Sequence, residues 1–137
     1  MTLEPIKLLR DMIAIPSVNP MRAEPGLAIE RELVGYIENT LRREGVDCER
    51  QHVADGRENL IAIVEANINR ADRDGLMLNS HLDTVPVTNM SIDPFDPVER
   101  NGRIFGRGAC DAKGSLKPDA FRPISLAGQC QLSRDHR

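Results

Sequence analysis

The residues best suited to chemistry in this chain are a histidine and an aspartate that stand two positions apart. His81 and Asp83 follow the apolar run Leu76-Met77-Leu78, and in an extended backbone two side chains at this spacing point to the same face. A neutral imidazole is a good zinc ligand, and a carboxylate beside it can select the ring tautomer and raise its basicity. The pair alone indicates a metal site only weakly, because a surface or core histidine is an open alternative for such a short pattern.

A second candidate is the glycine-rich segment 106–114, in which small residues surround Asp111. The segment fits neither phosphate-loop pattern, because Asp111 occupies the last glycine position of G-x-G-x-x-G, and Lys113 precedes Gly114 where a Walker loop needs Gly-Lys-Ser. Glycines around one aspartate instead predict a backbone that brings its carboxylate into close contact, for instance with a metal ion. Cys110 could be a ligand or a nucleophile, although a small buried side chain is the stronger expectation.

Helices and strands alternate before these segments and predict an α/β fold. Apolar residues at helical spacing predict a first helix over 4–15, which ends at Pro16, and a second over 27–44, which ends at Gly45. The expected buried stripes are Ile6, Leu9 and Ile13 in the first helix, flanked by Leu8 and Met12, and Ile29, Leu33, Ile37 and Leu41 in the second.

The predicted strands would form a mixed sheet. Residues 46–53 alternate apolar and polar side chains as an edge strand does, and 103–105 is a short strand candidate. The continuous apolar runs 60–64 and 76–80 are expected to be strands buried on both faces. His81 would then lie at the carboxyl end of a strand, where α/β proteins commonly place their active groups.

Composition and charge exclude several classes of partner. The chain has 137 residues, a net charge of -3 and 3% aromatic residues, which offers no basic or aromatic surface to nucleic acid. No apolar run approaches the roughly 20 residues of a membrane-spanning helix, and no signal-peptide pattern opens the chain. The three cysteines form no C-x-x-C pair, which argues against a disulfide framework or a cysteine zinc site. The expectation is a cytoplasmic protein that binds neither nucleic acid nor membranes.

Taken together, the motifs resemble those of the di-zinc metallopeptidases and deacylases (metallopeptidase family twenty), which include acetylornithine deacetylase, succinyl-diaminopimelate desuccinylase, carboxypeptidase G and the aminoacylases. The resemblance is carried by S-H-L-D-T-V-P at 80–86, D-P-F at 93–95, G-R-G-A-C-D-A-K-G at 106–114 and, near the start, I-P-S-V-N-P at 15–20. Ordered blocks at fixed spacing are a specific signal. The match runs from about residue 5 to Leu116.

This resemblance implies a role for each candidate residue. His81 would bind one metal ion, Asp111 would bridge the two Zn²⁺ ions of a complete site, with Co²⁺ as an alternative, and Asp83 would be a catalytic residue that orients His81. The site would hydrolyse the amide bond of an N-acyl amino acid or a small peptide through an activated water. The resemblance also implies a cis peptide bond after Asp111 and a homodimer in complete relatives.

The resemblance ends at Leu116. Residues 117–137 contain no Glu and no apolar periodicity, so the general base and the further ligands that the family places later are not matched. The sequence therefore predicts part of a zinc-peptidase catalytic domain over 1–116 and an unrelated, disordered tail over 117–137. Two functions stay open: an acetylornithine deacetylase-like amide hydrolase, expected to be inactive as a truncated chain, and a non-enzymatic remnant or interaction protein.

Overall fold

A computed structural model describes residues 4–19, 30–54, 56–64 and 77–116 of the chain. Within these residues the chain forms two α-helices, four strands and a short 3₁₀ turn. In chain order the elements are α1 (Pro5–Ala14), α2 (Arg31–Arg43), β1 (Asp47–Ala54), β2 (Arg57–Ile63), β3 (Val98–Arg100), β4 (Arg103–Phe105) and the 3₁₀ turn (Lys113–Ser115). The predicted α/β class is confirmed.

The strands form antiparallel hairpins. β1 pairs with β2 and β3 pairs with β4, each in antiparallel register. Parallel pairing, which the predicted mixed sheet requires, is limited in the described residues to one bridge between Val18 and Thr84. The strand predicted over 103–105 is confirmed as β4, and it follows a two-residue turn in which Asn101 and Gly102 both have positive φ, as a type I′ hairpin turn needs.

Both helices end where the local sequence predicts. Pro5 occupies the first turn of α1, where its missing N–H has no helical partner to lose. Ile15 turns to an extended conformation because the following Pro16 disfavours a helical backbone before it. Gly45 ends α2 with a φ of 80°, the left-handed conformation typical of a helix terminus. The predicted start of α2 near residue 27 lies outside the described residues.

The core lies between α1, α2 and one face of the β1–β2 hairpin. Its buried side chains are Leu8, Met12, Leu33, Ile37, Leu41 and Val46. Cys48 and Leu60 extend this cluster onto the hairpin. The stripe predicted for α2 is confirmed in its described part. In α1 Ile13 is buried as predicted, but Ile6 is exposed, and the flanking Leu8 and Met12 are buried in its place.

Two apolar segments that the sequence predicts to be buried are exposed. α2 packs against the β1–β2 hairpin, and the partly buried Leu60 faces this core, whereas Ile63 remains 62% exposed. Residues 77–80 form no strand, and Met77 is 85% exposed. Both predictions of burial are wrong, because an apolar run becomes a buried strand only where layers cover both of its faces.

Two further expectations concern membrane-spanning helices and the tail after Leu116. In the part of the chain that the structure describes, no helix is long and apolar enough to cross a membrane. The tail predicted over 117–137 lies outside the described residues, so the division of the chain at Leu116 stays a prediction.

A buried lysine holds the carboxyl end of α1. Lys113 is 1% exposed, and its ammonium donates hydrogen bonds to the carbonyl oxygens of Met12 and Ile15, each at 2.8 Å. Carbonyls at a helix end have no helical N–H partner, and the negative end of the helix dipole favours a cation there. Burial lowers the pKa of Lys113 to about 8, which leaves the ammonium protonated at pH 7. The contact fixes the loop that contains Asp111 against α1.

A hydrogen bond also joins the two helices. The Tyr36 hydroxyl on α2 donates to a carboxylate oxygen of Asp11 on α1 at 2.8 Å, and Lys7 donates to the same oxygen. Burial, followed by the hydrogen bond to Asp11 and the charge of that carboxylate, raises the pKa of Tyr36 to about 12. Because the folded pKa is raised above its ordinary value of 10.0, this stabilisation is complete below pH 10 and is lost as the pH rises through about 12.

Replacing Lys113 by methionine should destabilise the fold, because two carbonyl oxygens lose a charged donor. We expect the free energy of unfolding, measured by urea denaturation at pH 7, to fall by about 1.5–3 kcal/mol. Lys7→Met is the matched control: this lysine is exposed and forms only a surface ion pair, so its loss should cost less than about 1 kcal/mol. An unchanged stability of Lys113→Met would show that the ammonium is not needed to satisfy α1.

The raised pKa of Tyr36 can be measured directly, because Tyr36 is the only tyrosine and the chain has no tryptophan. We expect the ultraviolet absorbance of tyrosinate to titrate near pH 12 in the folded chain and near pH 10 in urea, with circular dichroism recording that the chain stays folded. Asp11→Asn should lower the folded midpoint because the negative charge is removed. The exposed Glu4→Gln is the control, and a midpoint near pH 10 in the folded wild type would contradict the contact.

Candidate metal centre

Hydrogen bonds to the loop after α1 fix the segment that contains His81. The Thr84 amide donates to the Ser17 carbonyl oxygen at 2.9 Å, and the Asn19 amide donates to the Thr84 carbonyl oxygen at 2.7 Å. The buried Ser17 hydroxyl donates to the Leu82 carbonyl oxygen at 2.8 Å. The position of His81 is therefore set by the end of α1, although residues 77–80 form no strand.

The Asp111 loop is tight because two of its glycines lack room for a side chain. Gly108 has a φ of +80°, and a Cβ there would lie 2.8 Å from Thr84 Cγ2. A Cβ at Gly114 would clash with the carbonyl oxygen of Ala109. The glycines thus let the loop fold closely beside the segment that contains His81, as the sequence predicts for glycines around one aspartate.

The structure brings the three predicted site residues together. His81 Nε2 lies 3.0 Å from Asp111 Oδ1, while His81 Nδ1 lies 2.9 Å from the backbone oxygen of Asp83 and 3.2 Å from its Oδ1. The peptide bond between Asp111 and Ala112 is cis, as the resemblance implies. His81 and Asp111 line an open cleft of about 590 Å³.

The hydrogen bonds of His81 determine its tautomer. A backbone oxygen can only accept, so Nδ1 carries a proton. In a neutral ring Nε2 would then present its lone pair to Asp111 Oδ1, and these two acceptors would repel one another at 3.0 Å. The hydrogen bond to Asp111, followed by that to the Asp83 backbone, accordingly raises the pKa of His81. The arrangement therefore favours a positively charged species between the Nε2 atom of His81 and the Oδ1 atom of Asp111, because it removes the repulsion of the two acceptors.

The donor atoms of this pair suit zinc. Imidazole nitrogen and carboxylate oxygen bind Zn²⁺ at about 2.0–2.2 Å, and a separation of 3.0 Å lets Nε2 and Oδ1 share one ion. Within the described residues no group of three or more His, Cys, Asp or Glu side chains could hold a metal. If they bound a metal ion, His81 and Asp111 would supply two ligands, fewer than the three or four that a zinc site takes.

Two other side chains of metal-binding types are exposed. Cys110 is exposed, so the expectation that it is a small buried side chain is wrong; the neighbouring Asp111 is itself 83% exposed. His52 lies exposed on β1.

Asp83 is held from the side opposite to His81. Its Oδ2 accepts a hydrogen bond from Asn19 at 2.6 Å and lies 3.7 Å from the Arg57 guanidinium. Burial opposes ionisation of Asp83, but the hydrogen bond from Asn19 and the positive charges of His81 and Arg57 outweigh it and lower the pKa of Asp83 below its usual value. Asp83 is therefore an ionised carboxylate at neutral pH.

Sequence reasoning misses both of these partners. Asn19 stands in the I-P-S-V-N-P segment, where the resemblance gives it no role. Arg57 stands in β2, far along the chain from any motif. Only a prediction of which distant segments meet would have connected them to Asp83.

Comparisons with known proteins indicate which family the chain resembles. Residues 77–117, which contain His81, Asp83 and Asp111, match the model of peptidase family M20/M25/M40. Over 128 residues the chain is 34% identical to an acetylornithine deacetylase of Proteus mirabilis (strain HI4320), a match that covers 89% of the chain and 32% of that protein.

Two further relatives carry related names. The chain is 33% identical over 132 residues to a succinyl-diaminopimelate desuccinylase of Wolbachia pipientis wMel, covering 94% of the chain and 30% of that protein. It is 33% identical over 106 residues to a cysteinylglycine-S-conjugate dipeptidase of Corynebacterium striatum, covering 74% of the chain and 23% of that protein. The chain thus spans about a third or less of the length of these relatives. Over most of its length, and through the family match at residues 77–117, this chain is thus similar to hydrolases of the peptidase family M20/M25/M40.

Proposed function

We propose that these residues form part of the active centre of a metal-dependent amide hydrolase that acts on N-acyl amino acids or small peptides. One observation carries the proposal: His81 uses Nδ1–H for Asp83 and presents Nε2 to Asp111 at 3.0 Å. Two acceptors held at this distance repel one another unless a proton lies between them or a metal ion takes its place. The names of the relatives, a deacetylase, a desuccinylase and a dipeptidase, support an amide substrate.

Each of the three residues has a separate task. His81 Nε2 would be one ligand of a zinc ion, and the exposed Asp111 carboxylate has a second oxygen with which it could reach another ion. Asp83 would keep the proton on Nδ1 and so keep the lone pair of Nε2 directed at the metal position. Bound Zn²⁺, or Co²⁺ in its place, would supply Lewis acidity toward the amide carbonyl and activate a water molecule.

The 137 residues alone should be a poor enzyme. Catalytic zinc usually has three protein ligands, and His81 and Asp111 provide two. The sequence has no Glu after Glu99, and the resemblance places the general base and further ligands later in the chain. General-base catalysis contributes about 10²- to 10⁴-fold in rate, so its loss would leave little turnover.

Zinc binding by the full 137-residue chain tests the site. We expect calorimetry to detect weak binding, reversed by dialysis against a chelator and lost in His81→Ala and in Asp111→Asn. The matched control is His52→Ala, because this exposed histidine lies outside the pair. We also expect no zinc-dependent release of acetate from N-acetylornithine.

Two outcomes would contradict this account. Zinc-dependent turnover that disappears in His81→Ala would show that the chain completes its own catalytic site. Equal zinc binding by the wild type and His81→Ala, or none by either, would refute the metal site and favour the non-enzymatic interaction protein.

A further inference from the structure

We infer that Asn19 and Arg57 are positioning residues that orient His81 by fixing the carboxylate of Asp83. The inference rests on the proposed metal site, and it adds residues that neither the motif nor its ligands include. Both residues act on the same oxygen of Asp83, so that the other oxygen is left for His81.

The geometry around Asp83 carries the first step. Asn19 donates to Oδ2 at 2.6 Å, and the Arg57 guanidinium lies 3.7 Å from that oxygen. Oδ1 lies 3.2 Å from His81 Nδ1. A carboxylate can rotate about the bond that joins it to its Cβ, but here rotation would break contacts at both oxygens. The plane of Asp83 is thereby fixed, and with it the direction in which the imidazole ring of His81 points.

Arg57 is in turn held by a buried carboxylate. Its guanidinium donates to both oxygens of Glu30, the residue just before α2, which is itself buried. A buried carboxylate needs a paired cation, since an uncompensated charge is costly away from water. The hydrogen bonds to Glu30 and the charges of Glu30 and Asp83 raise the pKa of Arg57. Arg57 therefore connects the start of α2 to the site. If its side chain moved away, the buried carboxylate of Glu30 would lose its paired cation.

A second arginine on the same hairpin supplies a matched control. Arg50 on β1 also pairs with two carboxylates, those of Glu38 at 2.6 Å and Glu58 at 3.0 Å. Its side chain is 32% exposed, against 43% for Arg57. Among the described residues Arg50 makes no ion pair with Asp83. A change that acts only through stability should thus affect both arginines alike, whereas a change in orientation should affect Arg57 alone.

The experiment compares the full chain with Arg57→Gln, Asn19→Ala and Arg50→Gln. Long-range proton–nitrogen spectra of the metal-free protein, recorded where the ring is neutral and assigned with His81→Ala, report which nitrogen of His81 holds the proton. We expect mainly the Nδ1–H form in the wild type and Arg50→Gln. In Arg57→Gln and Asn19→Ala we expect a larger share of the Nε2–H form, because the Asp83 backbone oxygen, at 2.9 Å from Nδ1, would hold that proton without a fixed Oδ1 beside it. Zinc affinity should fall about 10-fold or more in the latter two, the effect typical of a partner of a metal ligand.

The outcomes separate the inference from the function on which it rests. Equal tautomer populations in Arg57→Gln, Asn19→Ala and Arg50→Gln would refute the positioning role. A tautomer shift in Arg57→Gln and Asn19→Ala, with no zinc binding by the wild type, would refute the metal site and leave the positioning role supported. Where Arg57→Gln loses the folded state, Asn19→Ala carries the test, because it removes a contact of Asp83 Oδ2 and leaves the pair of Arg57 with Glu30 in place.

Discussion

The ammonium of Lys113, buried against the last carbonyl oxygens of α1, is the contact on which the arrangement of the site depends. It is a cation placed where the helix end is most negative, and it attaches the Asp111 loop to that end. The loop after α1 holds the main chain around Thr84 through Ser17. The segments that contain His81 and Asp111 are therefore both held at the end of α1. This shared position keeps His81 Nε2 and Asp111 Oδ1 3.0 Å apart. Gly106 adds to this packing, since a Cβ at that position would come within 2.5 Å of Ile13 Cγ2.

Charges of alternating sign run from the start of α2 to the open cleft. Glu30 is followed by Arg57, then by Asp83, His81 and Asp111, and each neighbour in this series is within ion-pair distance of the next. Glu30, at the inner end of the series, is buried, whereas Asp111, at the outer end, is 83% exposed. Glu30 and Asp83 each have a fixed cationic partner, whereas within the described residues Asp111 at the outer end pairs with His81 alone. Because this outer end is open, an ion from solution can reach it.

Sequence patterns predict the parts of this molecule that depend on local chemistry. Pro16 and Gly45 end the two helices as expected, and the H-x-D and glycine-rich motifs identify the three residues that meet at the site. The burial of Ile63 and Met77 is mispredicted, because burial depends on which layers cover a segment and not on the segment itself. Arg57 is missed for a related reason: its role arises from the meeting of β2 with residues far along the chain, and no short pattern records such a meeting.

The bond from Lys113 to Met12 spans 101 positions of the chain, which has a consequence for biosynthesis. A ribosome adds about 5–20 residues per second, so α1 waits on the order of 5–20 s before the ammonium that completes its end is made. A helix of ten residues is marginal by itself in water. The apolar stripe of α1 can pack against α2 during this interval, but the carboxyl end of α1 is completed only when Lys113 has been made.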